Sequence, residues 1–146
     1  MSSPSQAPHS ILFACSLNAV RSPMAEGLAR ALLGQNIYID SAGLSTSVLD
    51  QFAVAVMSEI SIDITNHNTQ GFDDIAIDEF DLIVALSPEA HAKALALTRH
   101  SSVVVEYWPT PDPTAEAGGA RERRLAAYRA VRDQLRQTIR ARFVKA

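Results

Sequence analysis

Short apolar runs alternate along the chain with stretches whose apolar residues recur at helical spacing. The apolar runs predict strands over 10–14, 37–40, 81–86 and 103–107. The helical spacing predicts helices over 22–33, 48–60, 88–98 and 125–143, with a short helix over 73–79. Strands that alternate with helices form a parallel sheet covered by helices on both faces. The sequence therefore predicts an α/β fold of three layers, α/β/α, around a four-stranded parallel sheet.

The length and the polar start of the chain indicate how it is organised. Its 146 residues suffice for one domain. We expect a flexible N-terminal leader over 1–9 and a single domain over 10–146. No apolar run approaches the roughly 20 residues that cross a bilayer. The first ten residues also lack the basic and apolar regions of a signal peptide, so the sequence predicts a cytoplasmic protein without a membrane partner.

Charge is divided unevenly between the two ends of the chain. Residues 1–120 carry 4 Lys and Arg against 14 Asp and Glu, whereas residues 121–146 carry 9 against 2. A basic segment of this kind is able to contact nucleic acid or an anionic partner. The net charge of the whole chain is −3, however, which favours a solvated helix face. We therefore expect no nucleic-acid partner.

The loop after the first predicted strand is the strongest candidate for chemistry. Ligands of parallel sheets bind at the carboxyl ends of the strands, and here the loop Cys15–Ser22 leads directly into a helix. Ser22 is predicted to cap that helix, with Pro23 at its first position. Backbone N–H groups at such a helix start converge on an anion. The sequence therefore predicts a site for inorganic phosphate or a similar oxyanion.

Cys15 and Arg21 suggest which reaction this loop performs. Arg21 supplies a planar fork that matches two phosphate oxygens, and the positive field favours the thiolate form of Cys15. A thiolate beneath a bound oxyanion is arranged for phosphoryl transfer to sulfur. The alternative is a buried structural cysteine beside an unrelated arginine. Cys15 is the only cysteine, which excludes an intramolecular disulfide, and we expect neither a metal ion nor a cofactor.

The stretch I-L-F-A-C-S-L-N-A-V-R-S-P-M-A-E-G-L-A resembles the low-molecular-weight protein tyrosine phosphatases and the related thioredoxin-coupled arsenate reductases. The resemblance extends over about residues 10–143. It includes Ser41-Ala42-Gly43, which we predict as a turn after the second strand. It also includes the pair Asp112-Pro113 ahead of the last helix. The resemblance implies a single phosphatase-like domain with the three-layer fold.

The resemblance also implies roles for the side chains of the loop. Cys15 would be the nucleophile and form a thiophosphate intermediate, and Arg21 would bind two phosphoryl oxygens. Ser22 Oγ would hydrogen-bond the Cys15 sulfur and make it a better leaving group. The phosphate-binding residues would be Ser16, Leu17, Asn18, Ala19, Val20, Arg21 and Ser22.

Three further roles follow from the same resemblance. Asn18 would hold the loop in shape, in the left-handed backbone conformation that Asn tolerates. Ser41 would support Asn18 from behind the loop. Asp112 would be the general acid for the leaving oxygen and then the base that activates water. Taken alone, an Asp before a Pro is more often a turn residue, so the role of Asp112 depends on the resemblance.

Several residues depart from the family pattern. Leu17 stands where the family commonly has Gly, and Val20 stands where many phosphatases have a second Cys. Thr114 and Ala115 replace the tyrosines that usually wall the pocket. Trp108 would either stack on a substrate ring or belong to the core, and the sequence leaves both alternatives open.

The arsenate reductase branch uses a disulfide relay through two further cysteines near the third strand. This chain has Leu86-Ser87-Pro88 there, so an intramolecular relay is chemically impossible. Arsenate reduction would need an external thiol that attacks a Cys15–arsenate adduct. The last helix nevertheless resembles the reductase branch more than the phosphatase branch.

The leading hypothesis is a cysteine-dependent phosphomonoesterase that acts on a phosphorylated protein or a small phosphomonoester. The alternatives are an arsenate reductase that uses an external thiol and a regulatory protein that binds a phospho-ligand with little catalysis. Leu17 and the missing wall tyrosines motivate the last alternative. His67 lies in a polar segment, where it would either line the rim of the site or lie on a surface loop, and we expect the surface loop.

Overall fold

The computed structural model describes residues 7–116 and 118–144. The strands of this part of the chain are β1 (Ser10–Cys15), β2 (Tyr38–Gly43), β3 (Leu82–Ala85) and β4 (Val104–Tyr107). The helices are α1 (Arg21–Leu33), α2 (Gln51–Ser58), α3 (Pro88–Leu97) and α4 (Arg121–Phe143). Short 3₁₀ turns lie at Phe72–Asp74, Ile77–Glu79 and Pro113–Glu116.

The four strands form one parallel sheet in the order β2-β1-β3-β4. The chain passes from β1 to β2 on one side and then to β3 on the other side of β1. Such a switch in strand order opens a crevice at the carboxyl ends of the strands. Cys15 lies at this edge, paired with Gly43 on β2. The structure thus confirms the predicted four-stranded α/β fold and places the cysteine where a ligand crevice forms.

Helices and 3₁₀ turns cover both faces of the sheet. Ile11 and Phe13 on β1 face a core that contains residues of α1, α2 and α4. Leu12 and Ala14 face the opposite core, with α3 and the two 3₁₀ turns before β3. Side chains alternate along a strand, and here both alternating sets are apolar because both faces are buried. This arrangement gives the three layers.

Two predicted elements differ in the structure. Ser41-Ala42-Gly43 is the end of β2 and not a turn, because these residues pair with the last residues of β1. The predicted helix over 73–79 is two 3₁₀ turns separated by an extended Ile75. This break lets Phe72 and Ile77 both pack into the same core.

The ends of the chain are described only in part. Residues 1–6 of the predicted leader over 1–9 lie outside the described residues, as do residues 145 and 146. His9 is described, and its backbone N–H donates to Asp81 Oδ2 at 2.8 Å while its carbonyl accepts from the Tyr38 N–H at 2.9 Å. No helix in the described part of the chain is both long enough and apolar enough to cross a membrane.

Candidate active site

Cys15 is the last residue of β1 and is almost completely buried. Its Sγ lies 2.9 Å from Ser22 Oγ, the contact that the resemblance implied. Between these two residues the loop turns over the carboxyl end of the sheet and enters α1 at Arg21. The nucleophile candidate and the start of the helix therefore share one short segment, whose backbone N–H groups are available to an anion.

Asn18 determines the direction of the hydrogen bonds around the sulfur. Its Nδ2 lies 2.9 Å from Ser22 Oγ and 2.9 Å from Ser41 Oγ. Because Nδ2 can only donate, Ser22 accepts from Asn18 and keeps its own proton for the Cys15 sulfur. A hydroxyl that donates to sulfur stabilises the thiolate. Asn18 is fully buried and has a φ of 52°, the left-handed conformation expected from the sequence.

The helix start differs from the prediction in the position of Ser22. The structure begins α1 at Arg21, with Val20 in the capping position and no side-chain cap. Ser22 lies inside the first turn and is fully buried. Its hydroxyl is occupied by Cys15 and Asn18, and therefore does not cap the helix. Pro23 fits in this turn because the first N–H groups of a helix have no intrahelical acceptor.

A second group of side chains supports Asn18 from behind. Ser41 Oγ, which accepts from Asn18, donates to Glu26 Oε1 at 2.6 Å. The Gln70 N–H donates to Asn18 Oδ1 at 2.9 Å. His67 Nε2 lies 3.0 Å from the same oxygen and must therefore carry a proton. The other His67 nitrogen, Nδ1, faces Glu26 Oε1 at 3.6 Å.

The expectation that His67 lies on the surface is therefore wrong. Its side chain is mostly buried and is part of the network that fixes the loop. The contact with Asn18 spans 49 residues of sequence. The surrounding segment is polar and has no periodicity, so this contact leaves no signal in one sequence. Gln70 and Glu26 are further residues of the network that the sequence did not single out.

Arg21 connects the loop to the segment that leads to Asp112. Its Nη1 donates to the Thr110 carbonyl at 3.0 Å. The Thr110 N–H in turn donates to the Leu86 carbonyl just after β3 at 3.2 Å. Among the described residues, Arg21 makes no further side-chain hydrogen bond, and a guanidinium edge is able to meet a planar pair of oxygens. This bond links the arginine to the chain two residues before Asp112.

Asp112 is exposed and lies outside the hydrogen-bond network of the loop. Its Oδ1 accepts from the Thr114 N–H at 3.0 Å and from Thr114 Oγ1 at 2.7 Å. These two bonds fix the carboxylate at the start of a 3₁₀ turn, and both use Oδ1. The structure brings Cys15 and Ser22 into contact. Arg21 is bonded to the neighbouring segment that carries Asp112.

The structure also shows where the residues lie that depart from the family pattern, and where Trp108 packs. Leu17 is 47% exposed, whereas Val20 is buried. Trp108 packs edge-on against Phe13, with ring centroids 6.1 Å apart, and against Phe143 at 6.0 Å. Trp108 is partly buried and packs against the core, which favours the core alternative.

Gly43 allows β2 to approach the loop closely. A Cβ at this position would lie 2.6 Å from the Asn18 nitrogen, 2.6 Å from the Ser45 oxygen and 2.8 Å from the Leu17 carbonyl carbon. All three are backbone atoms, which cannot move aside as a flexible side chain does. The loop thus has its shape only if position 43 lacks a side chain.

Asp50 and Tyr128 hold the loop from the side of α2 and α4. The Asp50 N–H donates to the Ala19 carbonyl at 3.0 Å, and its Oδ1 caps α2. The Tyr128 hydroxyl donates to Asp50 Oδ2 at 2.7 Å. Burial, followed by this hydrogen bond to a carboxylate, raises the pKa of Tyr128. Tyr128 therefore stays protonated as a donor, and α4 is fixed to the loop.

The fold and this site together define a class of protein. A buried cysteine at the end of a parallel strand, followed by a loop that enters a helix beside an arginine, is the arrangement of cysteine-dependent phosphatases and their relatives. Residues 10–145 match the family model described as low molecular weight phosphotyrosine protein phosphatase. The chain belongs to this family of enzymes.

Known relatives include both reductases and phosphatases. The chain is 37% identical over 125 residues to an arsenate reductase of Bacillus subtilis (strain 168), covering 86% of this chain and 88% of the relative. A solved arsenate reductase in the phosphate binding state is 27% identical, with a TM-score of 0.74 over 90% of this chain and 94% of that one. The tyrosine phosphatase Wzb of Escherichia coli K30, solved with sulphate, is 22% identical with a TM-score of 0.77, over 92% and 95%. The likeness to Wzb shows the shared fold.

Proposed function

We propose that this protein is a cysteine-dependent phosphomonoesterase. The observation that carries the proposal is the contact between Cys15 Sγ and Ser22 Oγ at 2.9 Å, in a loop where Asn18 already donates to the serine. A serine in this position donates to the sulfur both when it attacks and when it leaves. A merely structural buried cysteine needs no donor of this kind.

The proposed reaction has two steps. In the first, the Cys15 thiolate attacks phosphorus, the S–P bond forms, and the ester O–P bond breaks as Asp112 gives its proton to the leaving oxygen. In the second, Asp112 takes a proton from water, the water attacks phosphorus, and the S–P bond breaks. Inorganic phosphate leaves, and Ser22 stabilises the released thiolate. The Arg21 guanidinium and the backbone N–H groups of residues 16–21 stabilise the charge in both transition states.

Arsenate reduction with an external thiol is the second candidate. The 37% identity to the B. subtilis arsenate reductase favours it. Because Cys15 is the only cysteine, an external thiol would have to attack the sulfur of a Cys15–arsenate adduct. That attack forms a mixed disulfide and releases arsenite, and a second external thiol then restores Cys15. Arsenate reduction by this route does not require Asp112 to protonate an ester oxygen.

One pair of assays separates these candidates. Wild type and Cys15→Ser are compared for hydrolysis of para-nitrophenyl phosphate over a range of pH, in reductant and without added metal. The same proteins are compared for thiol-dependent release of arsenite. We expect metal-independent hydrolysis that disappears in the variant. Hydrolysis that persists in Cys15→Ser contradicts the mechanism, and arsenite release without hydrolysis favours the reductase. Oxyanion binding without either activity would favour a regulatory binding protein.

A further inference from the structure

Two arginines at the start of α4 stack on one aromatic ring. The Arg124 Cζ lies 4.3 Å from the centroid of the Phe52 ring, and the Arg121 Cζ lies 5.4 Å from it. A guanidinium stacked on a ring is held in place while its N–H edge stays available to a planar anion. We call these three residues the arginine platform.

The arginine platform is joined to the phosphate-binding loop through two residues. The Phe52 ring contacts the Tyr128 ring, with centroids 5.4 Å apart. The Tyr128 hydroxyl binds Asp50, whose N–H binds the Ala19 carbonyl in the loop. The platform is therefore linked to the phosphate-binding loop through packed and hydrogen-bonded residues.

Three other arginines of α4 are paired with carboxylates in the described ranges, unlike the two arginines of the platform. Arg129 and Arg132 are paired with Glu59, and Arg142 is paired with Glu106. Among the described side chains, no carboxylate pairs with either arginine of the platform. The adjacent Glu122 is 81% exposed and reaches toward Arg129 at 3.9 Å.

Two carboxylates around the phosphate-binding loop are already engaged in hydrogen bonds. Asp50 accepts from the Tyr128 hydroxyl and from the first N–H groups of α2. Asp112 accepts from Thr114. Residues 1–120 carry 14 acidic and 4 basic side chains, yet in the part of the chain that the structure describes no carboxylate is paired with the two positive side chains of the platform.

We propose that the arginine platform binds carboxylates that flank the phosphorylated residue of a protein substrate. The proposal rests on the proposed phosphatase function and narrows its substrate to phosphoproteins with acidic flanking residues. An extended peptide advances about 3.3–3.6 Å per residue, so flanking side chains extend from the loop over the neighbouring surface. Each guanidinium then meets a carboxylate in the bidentate geometry that it prefers.

The test compares two phosphotyrosine peptides, one with acidic and one with neutral flanking residues. The measured quantity is the ratio of their kcat/KM values. Wild type is expected to favour the acidic peptide by about 3-fold to 10-fold, the range expected for two exposed ion pairs. The preference should decrease at high salt, which screens exposed charges. The variant Arg121→Gln/Arg124→Gln is expected to bring the ratio close to one, mainly through KM.

The matched control removes the same charge elsewhere on α4. Arg136→Gln/Arg140→Gln changes two arginines that lie about 22–24 Å along the helix from the platform, and it is expected to retain the preference. If both double variants lose the preference for the acidic peptide equally, the cause is a general effect of net charge, and the proposal is overturned. A preference that survives in Arg121→Gln/Arg124→Gln would also overturn it. The single variant Arg124→Gln repeats the test if the double variant folds poorly.

Binding separates failure of this inference from failure of the proposed function. Fluorescence anisotropy with Cys15→Ser measures binding of the labelled acidic phosphopeptide without turnover. If wild type hydrolyses nothing but this binding requires Arg121 and Arg124, the platform is supported and the phosphatase function is not. If hydrolysis is normal and peptide binding does not depend on the two arginines, the proposed role of the platform is wrong and the phosphatase function is supported. Tighter arginine-dependent binding of a single-stranded RNA than of the peptide would overturn the assignment to a protein substrate.

Discussion

Adding one methyl group at position 43 tests whether the shape of the loop decides activity. In Gly43→Ala the new Cβ would lie 2.6 Å from the Asn18 nitrogen and from the Ser45 oxygen. Ordinary contact begins at 3.4 Å, so β2 and the loop must separate by about 0.8 Å. A displacement near 1 Å at reacting groups costs on the order of 100-fold in rate. We therefore expect kcat/KM to fall by about this factor, together with weaker binding of phosphate.

The residue across the neighbouring bridge provides the control. Gly71 pairs with Gly43, but a Cβ there would meet its nearest atom at 3.6 Å, an ordinary contact. Gly71→Ala should therefore keep both activity and phosphate affinity. The assays are hydrolysis of para-nitrophenyl phosphate, competitive inhibition by inorganic phosphate, and a melting curve to show that each variant is folded. A folded Gly43→Ala protein that keeps kcat/KM and phosphate affinity within about twofold would refute the reasoning.

Three further predictions concern the acid, the sulfur and an ion pair far from the site. Asp112→Asn should slow the hydrolysis of esters with poor leaving groups far more than that of activated aryl phosphates, and equal slowing would contradict its role as an acid. Ser22→Ala removes the donor to the Cys15 sulfur, and it should lower kcat by about 10-fold to 100-fold in single-turnover and steady-state assays. Hydrogen bonds from Arg129 and then Arg132 lower the pKa of Glu59 from 4.5 to about 2. Ionised Glu59 therefore stabilises the folded protein above pH 4.5, and this stabilisation is lost as the pH falls toward 2. Melting curves should show that Glu59→Gln is less stable than wild type near neutral pH. The difference in melting temperature should decrease as the pH falls from 4.5 toward 2.

Much of the fold could be predicted because the two central strands, β1 and β3, are short and mostly apolar runs. Both faces of this sheet are buried, so the strands of β1 and β3 need no polar alternation and stand out in the sequence. The end of β2 was misread because Ser41-Ala42-Gly43 has the composition of a turn. Its pairing with β1 decides its structure, and that pairing is tertiary information.

The candidate site also has one part that the sequence predicts and another part that depends on tertiary contacts. Cys15, Asn18 and Arg21 lie within one short loop, so local sequence suffices to connect them. The family resemblance implied the left-handed conformation of Asn18, which an Asn side chain tolerates. His67 reaches Asn18 across 49 residues of sequence, and only the folded chain reveals this contact. For Ser22 the local rule predicts a helix cap, which is wrong, whereas the resemblance implies the contact with the Cys15 sulfur that the structure shows.

The central claim is that the Cys15 sulfur carries the phosphoryl group during turnover. The most direct measurement is rapid quenching of wild type during hydrolysis of an aryl phosphate, followed by mass spectrometry of the peptide that contains Cys15. Cys15→Ala, which has no nucleophilic atom there, is the control. The account predicts a phosphorylated Cys15 in wild type that accumulates and decays with turnover. Hydrolysis without a phosphorylated cysteine, or equal hydrolysis by Cys15→Ala, would contradict it.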